Sequence, residues 1–244
     1  MKVSIIIPTL NEAENIVRLI ERLQRYGEDR LHEIIVVDGG STDDTCQLAR
    51  ESGARVLQSS TKGRARQMNY GADRSTGNIL YFVHGDTLPP KSYMSDIFQA
   101  LQEGYQSGIF RFKFDSDRWI LKINSWFTRF DRLWCRGGDQ SIFVTRTTFE
   151  DLNGYRDDYL IMEDYDFMIR LRKKYPFKII QKDTLVSARK YETNGYLRVQ
   201  VANFITFNMY RLGYSQEKMI NTYYRMLNYR YGKEPYRKRE EVGV

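Results

Sequence analysis

Three carboxylate positions and one polar pair stand where chemistry could be done. Asp38 closes the strand-like run Glu33–Val37 and is followed by Gly39 and Gly40. A carboxylate there can accept hydrogen bonds from a sugar hydroxyl or a base N–H, while the glycines let the chain turn closely beneath it. A turn aspartate that caps the next helix has the same appearance. Asp86 ends a second apolar run, after His84 and Gly85. Facing a crevice, such a carboxylate can hold Mg2+ or Mn2+ that also binds phosphate oxygens. Glu163 and Asp164 open a helical stretch, where the macrodipole favours acidic residues. Asp139 and Gln140 follow Arg136-Gly137-Gly138. That glycine pair suits close approach of a sugar or acceptor, or a plain turn.

The elements that must position these residues alternate in the first half. Val3–Ile7, Glu33–Val37, Ala54–Leu57 and Asn78–Val83 read as strands. Between them, Asn11 three residues before Glu14 reads as a capping box, and Ile16, Leu19, Ile20 and Leu23 have helical spacing. Ser41 with Asp44 is a second helix start, and residues 64–74 a further helix. Such alternation implies right-handed crossovers and a mostly parallel sheet with helices on both faces. Ligands then bind beyond the carboxyl ends of the strands. This gathers Pro8–Glu12, Asp38–Asp44 and His84–Thr87 into one crevice. The second half is less regular. Gly108–Phe114 and Ser141–Thr145 read as strands. Residues 117–134, 163–174, 196–212 and 215–230 read as helices. One continuous domain with an added C-terminal helical part is the simplest organisation.

Composition narrows the class. The chain has 244 residues, 41% hydrophobic and 28% charged, which excludes wholesale disorder. No window approaches the run of about 18 apolar residues that a membrane-spanning helix needs. Val3–Ile7 is too short for a signal peptide and runs straight into Pro8. Two cysteines, Cys46 and Cys135, make no disulfide framework or zinc pattern, and the expected compartment is a reducing cytoplasm. The net charge of +7 is local. Residues 111–136 hold seven Lys/Arg and three Asp, a net of +4, and residues 225–244 hold six Lys/Arg and three Glu, a net of +3. The first window also holds Trp119, Trp126 and Trp134. It reads as an interfacial helix meeting anionic lipid at the inner face of a membrane, as a stripe packed on the sheet, or as a platform on which a sugar stacks. A nucleic-acid binder fits poorly, because no helix-turn-helix or RNA-binding signature accompanies the charge.

Six segments occur in order: VSIIIPTLNE (Val3–Glu12), IVVDGGSTDDT (Ile35–Thr45), KGRARQMN (Lys62–Asn69), VHGDT (Val83–Thr87), GDQ (Gly138–Gln140) and MEDYD (Met162–Asp166). Together they resemble the family 2 glycosyltransferases with a GT-A fold, from Val3 to about Tyr191 and more loosely to about Tyr224. The similarity is greatest to a bacterial subgroup with H-x-D in place of D-x-D and a late S-A-R-[RK]-[WY] segment, here Ser187–Tyr191. The resemblance implies an α/β GT-A domain over 1–192, its sheet mixed but mostly parallel, with C-terminal helices and a basic tail over 193–244 packed on it. It implies inverting transfer of a sugar from a nucleotide-sugar donor, a UDP-sugar first, to a hydroxyl of a carbohydrate or lipid-linked acceptor.

By motif position, Pro8, Thr9, Glu12, Asp38, Arg64 and Asn69 border the nucleotide. Asp86 matches the metal-carrying Asp, with His84 either a further ligand or a packed strand-end histidine. Asp164 matches the general base, beside Glu163. Arg189 and Lys190 add charge at the diphosphate, and Asp139, Gln140 and Trp134 form the acceptor side. A sugar-phosphate nucleotidyltransferase would carry a Gly-rich basic signature after the first strand, which Pro8-Thr9-Leu10-Asn11 is not. No G-x-G-x-x-G follows that strand either. Intact Asp38, Asp86 and Asp164 argue against a non-catalytic nucleotide-binding relative.

Overall fold

A computed structural model describes residues 1–60, 63–130 and 140–227. Trp134, Cys135, Asp139 and residues 228–244 of the basic tail lie outside the described residues. The chain divides into two compact units: Met1–Asp157 with Glu163–Ser187, and Asp158–Met162 with the chain from Ala188.

The first unit runs β1 (Val3–Thr9), α1 (Ala13–Arg25), a 3-10 turn (Glu28–Arg30), β2 (Leu31–Asp38), α2 (Thr45–Glu51), β3 (Arg55–Gln58), α3 (Arg64–Asp73) and β4 (Ile79–Phe82). It continues with β5 (Thr87–Leu88), α4 (Tyr93–Gln102), β6 (Ser107–Phe114), α5 (Trp119–Phe127), β7 (Ile142–Thr145), α6 (Arg146–Asp151), α7 (Glu163–Lys174) and β8 (Phe177–Val186). Among the described residues the strands form an eight-stranded sheet, ordered β3-β2-β1-β4-β7-β6-β8-β5. β1 pairs in parallel with β2 and β4, β2 with β3, and β6 with β8. The contacts β4–β7, β6–β7 and β5–β8 are antiparallel.

Every residue of β1 is buried. Successive side chains of a strand point to opposite faces. Ile5 and Ile7 therefore join Ile16, Leu19, Ile20 and Leu23 of α1 in one cluster. Ile6 joins Val37, Ala65 and Met68 of α3, and Phe167 and Leu171 of α7, in the other. Burial on both faces is why this strand reads as an unbroken apolar run, each side chain contributing about 1.5–3 kcal/mol.

Two expected helix caps are not made. Asn11 sits at φ 55° and the residue preceding α1 is Glu12, with no side-chain cap bond. α2 starts after Asp44, also uncapped by a side chain, because Ser41 hydrogen-bonds to Asp38 instead. The helix expected over 117–134 is assigned to Trp119–Phe127. Of the expected stripe, Ile120 is half-buried and Ile123, Phe127 and Phe130 are exposed, as are Trp119 and Trp126, while the helix rests on β6 through Leu121 and the Thr128 bond to the Phe112 carbonyl.

The second unit holds α8 (Arg189–Asn194), α9 (Tyr196–Arg211) and α10 (Gln216–Met226). α9 buries Val199, Ala202, Thr206 and Met209; α10 buries Met219, Ile220 and Tyr223. Gln216 Oε1 accepts the N–H groups of Leu160 and Ile161, tying Asp158–Met162 to this unit. No described helix is long and apolar enough to cross a membrane.

Candidate active site

The carboxyl ends of β1 and β2 are joined by side chains rather than by the ladder alone. Gln67 of α3, 4% exposed, donates Nε2 to the carbonyls of Thr9 (2.9 Å) and Val37 (2.8 Å). Its amide fills the space that a Cβ on Gly39 would need, 3.0 Å away. Asp38 is 2% exposed and its Oδ2 accepts the N–H groups of Gly40 and Ser41, each at 2.9 Å. Its carboxylate thus shapes the turn and does not cap α2, which starts four residues beyond Ser41 at Thr45.

The β1 and β2 loops are bonded to each other. The Asn11 N–H donates to Ser41 Oγ (2.8 Å), the Thr42 N–H to Asn11 Oδ1 (2.8 Å), the Glu12 N–H to Thr45 Oγ1 (2.8 Å) and the Ala13 N–H to Asp43 Oδ2 (3.2 Å). Burial pushes the Asp43 carboxyl up, but hydrogen bonds from Thr45 and Ala13 outweigh it and hold the group below its ordinary value. Pro8, Thr9 and Glu12 are all buried behind this pair of loops.

The third segment reaches the same rim. A Cβ on Gly85 would lie 2.8 Å from Glu12 Cγ, so only glycine lets His84–Asp86 pass this close to the β1 loop. The Ser187 N–H donates to the Asp86 carbonyl (3.2 Å), anchoring it beside the end of β8. His84 and Asp86 are half-buried. Among the described residues no three His, Cys, Asp or Glu side chains converge as a metal cage. A single half-buried carboxylate, Asp86, suits an ion such as Mg2+, which keeps most of its shell in water and phosphate oxygens.

Arg64, at the start of α3, brings the second half of the chain to this rim. Its Nε lies 2.7 Å from Oε1 of Glu163, the first residue of α7. The pair is close but off-angle for a hydrogen bond, and neither Glu163 oxygen receives one among the described residues. Glu163 is 1% exposed, whereas its neighbour Asp164 is half-buried. The Tyr155 hydroxyl, fully enclosed, also lacks a hydrogen-bond partner among the described residues. Burial first, then the charges of Asp164 and Glu163, push this phenol well above its ordinary range, so it stays protonated.

Other expected site residues make contacts within the protein. Asn69 faces the turn before α7: its Nδ2 donates to the Tyr155 carbonyl and to Asp157 Oδ1, both 2.8 Å, and its Oδ1 accepts the Tyr155 N–H (2.9 Å). Gly154, at φ 59°, makes room, since a Cβ there would lie 2.7 Å from Asn69 Oδ1. Gln140 is buried, donating to the Phe110 carbonyl (3.1 Å) with its Oε1 unpartnered among the described residues. Arg189 and Lys190 belong to the second unit, where Lys190 Nζ stands over the Tyr223 ring. Sequence reasoning missed Gln67 and Tyr155. Gln67 lies within the KGRARQMN segment, one helical turn from Arg64, which was the available signal for the first.

Solved structures share this architecture. TarS of S. aureus superposes with a TM-score of 0.63 at 16% identity, over 93% of this chain and 71% of that one. Glucosyl-3-phosphoglycerate synthase from Mycobacterium tuberculosis, crystallised with Mn2+, UDP-glucose and phosphoglyceric acid, superposes at 0.63 and 18% identity, over 87% and 80%. The fold is that of the GT-A glycosyltransferases.

Residues 4–176 match the glycosyl transferase family 2 profile, and the chain belongs to that family. The PGL/p-HBAD biosynthesis glycosyltransferase of M. tuberculosis is 30% identical over 189 residues, 68% of each chain. Glycosyltransferase AglE of Haloferax volcanii is 34% identical over 100 residues, 38% of this chain. Dolichol-phosphate mannosyltransferase of Pyrococcus furiosus is 29% identical over 109 residues, 43% of this chain. The chain spans about a third of the length of these last two, 33% and 31%.

Proposed function

We propose that the chain is an inverting glycosyltransferase that moves a sugar from a UDP-sugar to an acceptor hydroxyl in one displacement. The acceptor oxygen attacks the anomeric carbon as its proton passes to Asp164, and the bond to the nucleoside diphosphate breaks with its electrons leaving on the diphosphate. Asp164 suits the base because it is half-buried and reachable, whereas Glu163 is enclosed and ion-paired. A positioned base contributes about 10²–10⁴-fold to such a step. Asp86, with His84 beside it, would hold a divalent ion, Mg2+ or Mn2+. That ion supplies positive charge for the departing diphosphate. The neighbour crystallised with Mn2+ and UDP-glucose, and TarS crystallised with UDP-GlcNAc, support donor and metal.

The observation that carries the reading is the Arg64–Glu163 ion pair. It joins two family motifs, far apart in sequence, at the strand-end rim where donors bind in folds of this kind.

The acceptor is a carbohydrate or a lipid-linked sugar. The exposed rings of α5, with exposed Arg118, Lys122 and Arg129 among them, support a cytoplasmic protein that meets the inner face of a membrane. A relative named for dolichol phosphate points the same way.

Turnover tests the assignment. A panel of nucleotide sugars with Mg2+ or Mn2+ should give donor hydrolysis or transfer. Asp164→Asn should abolish it with nucleotide binding nearly intact; transfer at the wild-type rate would remove Asp164 as the base.

A further inference from the structure

Glu163 is an unusual charge. Buried carboxylates are normally surrounded by donors. This one, 1% exposed, has no hydrogen bond among the described residues and is balanced by a guanidinium at 2.7 Å. Arg64 is placed quite differently. Its side chain is 44% exposed, it begins α3 on the strand-end rim, and no described residue lies within 4 Å of where a Cβ on the preceding Gly63 would sit. Guanidinium binds carboxylate and phosphate through the same fork of N–H groups.

We propose that Arg64 is a shared cation, balancing Glu163 while the site is empty and turning to the donor's diphosphate when nucleotide binds, so that Glu163 and the nucleotide compete for one guanidinium. The proposal rests on the glycosyltransferase reading and adds an order of events to it. While Arg64 faces Glu163, the negative charge beside Asp164 is largely cancelled. Once the diphosphate takes the guanidinium, Glu163 stands uncompensated next to Asp164, and a neighbouring like charge makes a carboxylate hold a proton more tightly. Asp164 therefore becomes the stronger base when the donor is in place.

Tyr155 supplies the independent observation. Its enclosed hydroxyl is unpartnered among the described residues and within the field of both carboxylates, and in this proposal it turns to Glu163 as that group loses its cation. Glu163 thereby stays tolerable in its buried position without a permanent counter-charge. Arg64 is a positioning residue for Glu163 and a binding residue for the nucleotide, in turn.

The test is calorimetric titration of the full chain with UDP and Mg2+. Glu163→Gln removes the competitor's charge and should tighten UDP binding about tenfold. The gain should vanish in an Arg64→Gln background, as a double-mutant cycle requires when one group carries the effect. Should Glu163→Gln not fold, Glu163→Asp, which draws the charge back from the guanidinium, should tighten binding about threefold on the same reasoning. A fixed structural ion pair predicts unchanged or weaker UDP binding in these variants. That result, or a gain that survives Arg64→Gln, overturns the proposal. A wild-type chain that binds neither UDP nor GDP overturns the glycosyltransferase reading beneath it.

Discussion

Asn69→Ala removes the carboxamide that holds the turn before α7 to α3. Three hydrogen bonds go with it, two to the Tyr155 backbone and one to the Asp157 carboxylate, all at 2.8–2.9 Å. The bond to the Tyr155 carbonyl is worth about 0.5–1.5 kcal/mol net, and the half-buried Tyr155 N–H left without its partner costs about 1–3 kcal/mol. The Asp157 bond is exposed and adds little. The sum is about 3 kcal/mol. For a chain of this size that corresponds to a fall in Tm of about 6–12 °C. Thermal melting followed by circular dichroism measures the first quantity, and UDP titration well below the melt measures the second. The geometry predicts a large drop in Tm with UDP affinity within about threefold of wild type. An unchanged Tm with a collapse of UDP affinity would refute it, and would make Asn69 the donor contact that its motif implies.

Other consequences are open to measurement. Burial pushes the Glu33 carboxyl up, but hydrogen bonds from the Thr76 N–H and from the Ser4 and Thr76 hydroxyls outweigh it and hold the group below 4.5. Its contribution is present above that ordinary value and lost as pH falls through the lower folded one. Glu33→Gln should therefore melt below wild type at pH 6, with the gap closing towards pH 3; a constant gap contradicts this. Asp86→Asn should abolish any rise in UDP affinity that Mn2+ gives the wild type, and an undiminished rise would place the ion elsewhere. Sedimentation with phosphatidylglycerol vesicles should pull down the wild type, weakened by salt at about 1 kcal/mol per basic residue. Trp119→Ser with Trp126→Ser should abolish it; equal binding to neutral vesicles would argue against charge as the attraction.

The elements legible in the sequence were those buried on both faces. β1, β2 and β4 are short apolar runs ended by Pro, Gly or Asp, and their ends gathered the rim segments as expected. β8 was illegible because its middle is Gln181-Lys182-Asp183, with no alternation. The register against β6 explains this: Phe110 faces Ile180 and Arg111 faces Asp183, so Gln181 and Lys182 are extra residues on a bulged strand. Arg111 and Asp183 then pair at 2.8 Å across the ladder, which no reading of either segment alone could find. Asn11 and Ser41 misled for a related reason. Both are common helix caps, but other partners took their side chains: the Thr42 N–H for Asn11, and Asp38 with the Asn11 N–H for Ser41. The motifs were legible as a list; which of their members touch was not. Arg64 with Glu163, and Asn69 with Tyr155, are meetings between segments that local spacing does not encode.

The bonding between the β1 and β2 loops decides how this rim can handle an anion. In dinucleotide-binding folds the helix after the first strand offers its free N–H groups to a pyrophosphate. Here the N–H groups of Glu12 and Ala13, at the start of α1, are already taken by Thr45 and Asp43. Asp43 is in effect a resident anion, occupying the positive end of α1 from within the chain. An anion arriving at this end of α1 meets that resident carboxylate, with two of the N–H groups at the helix start already bonded within the chain.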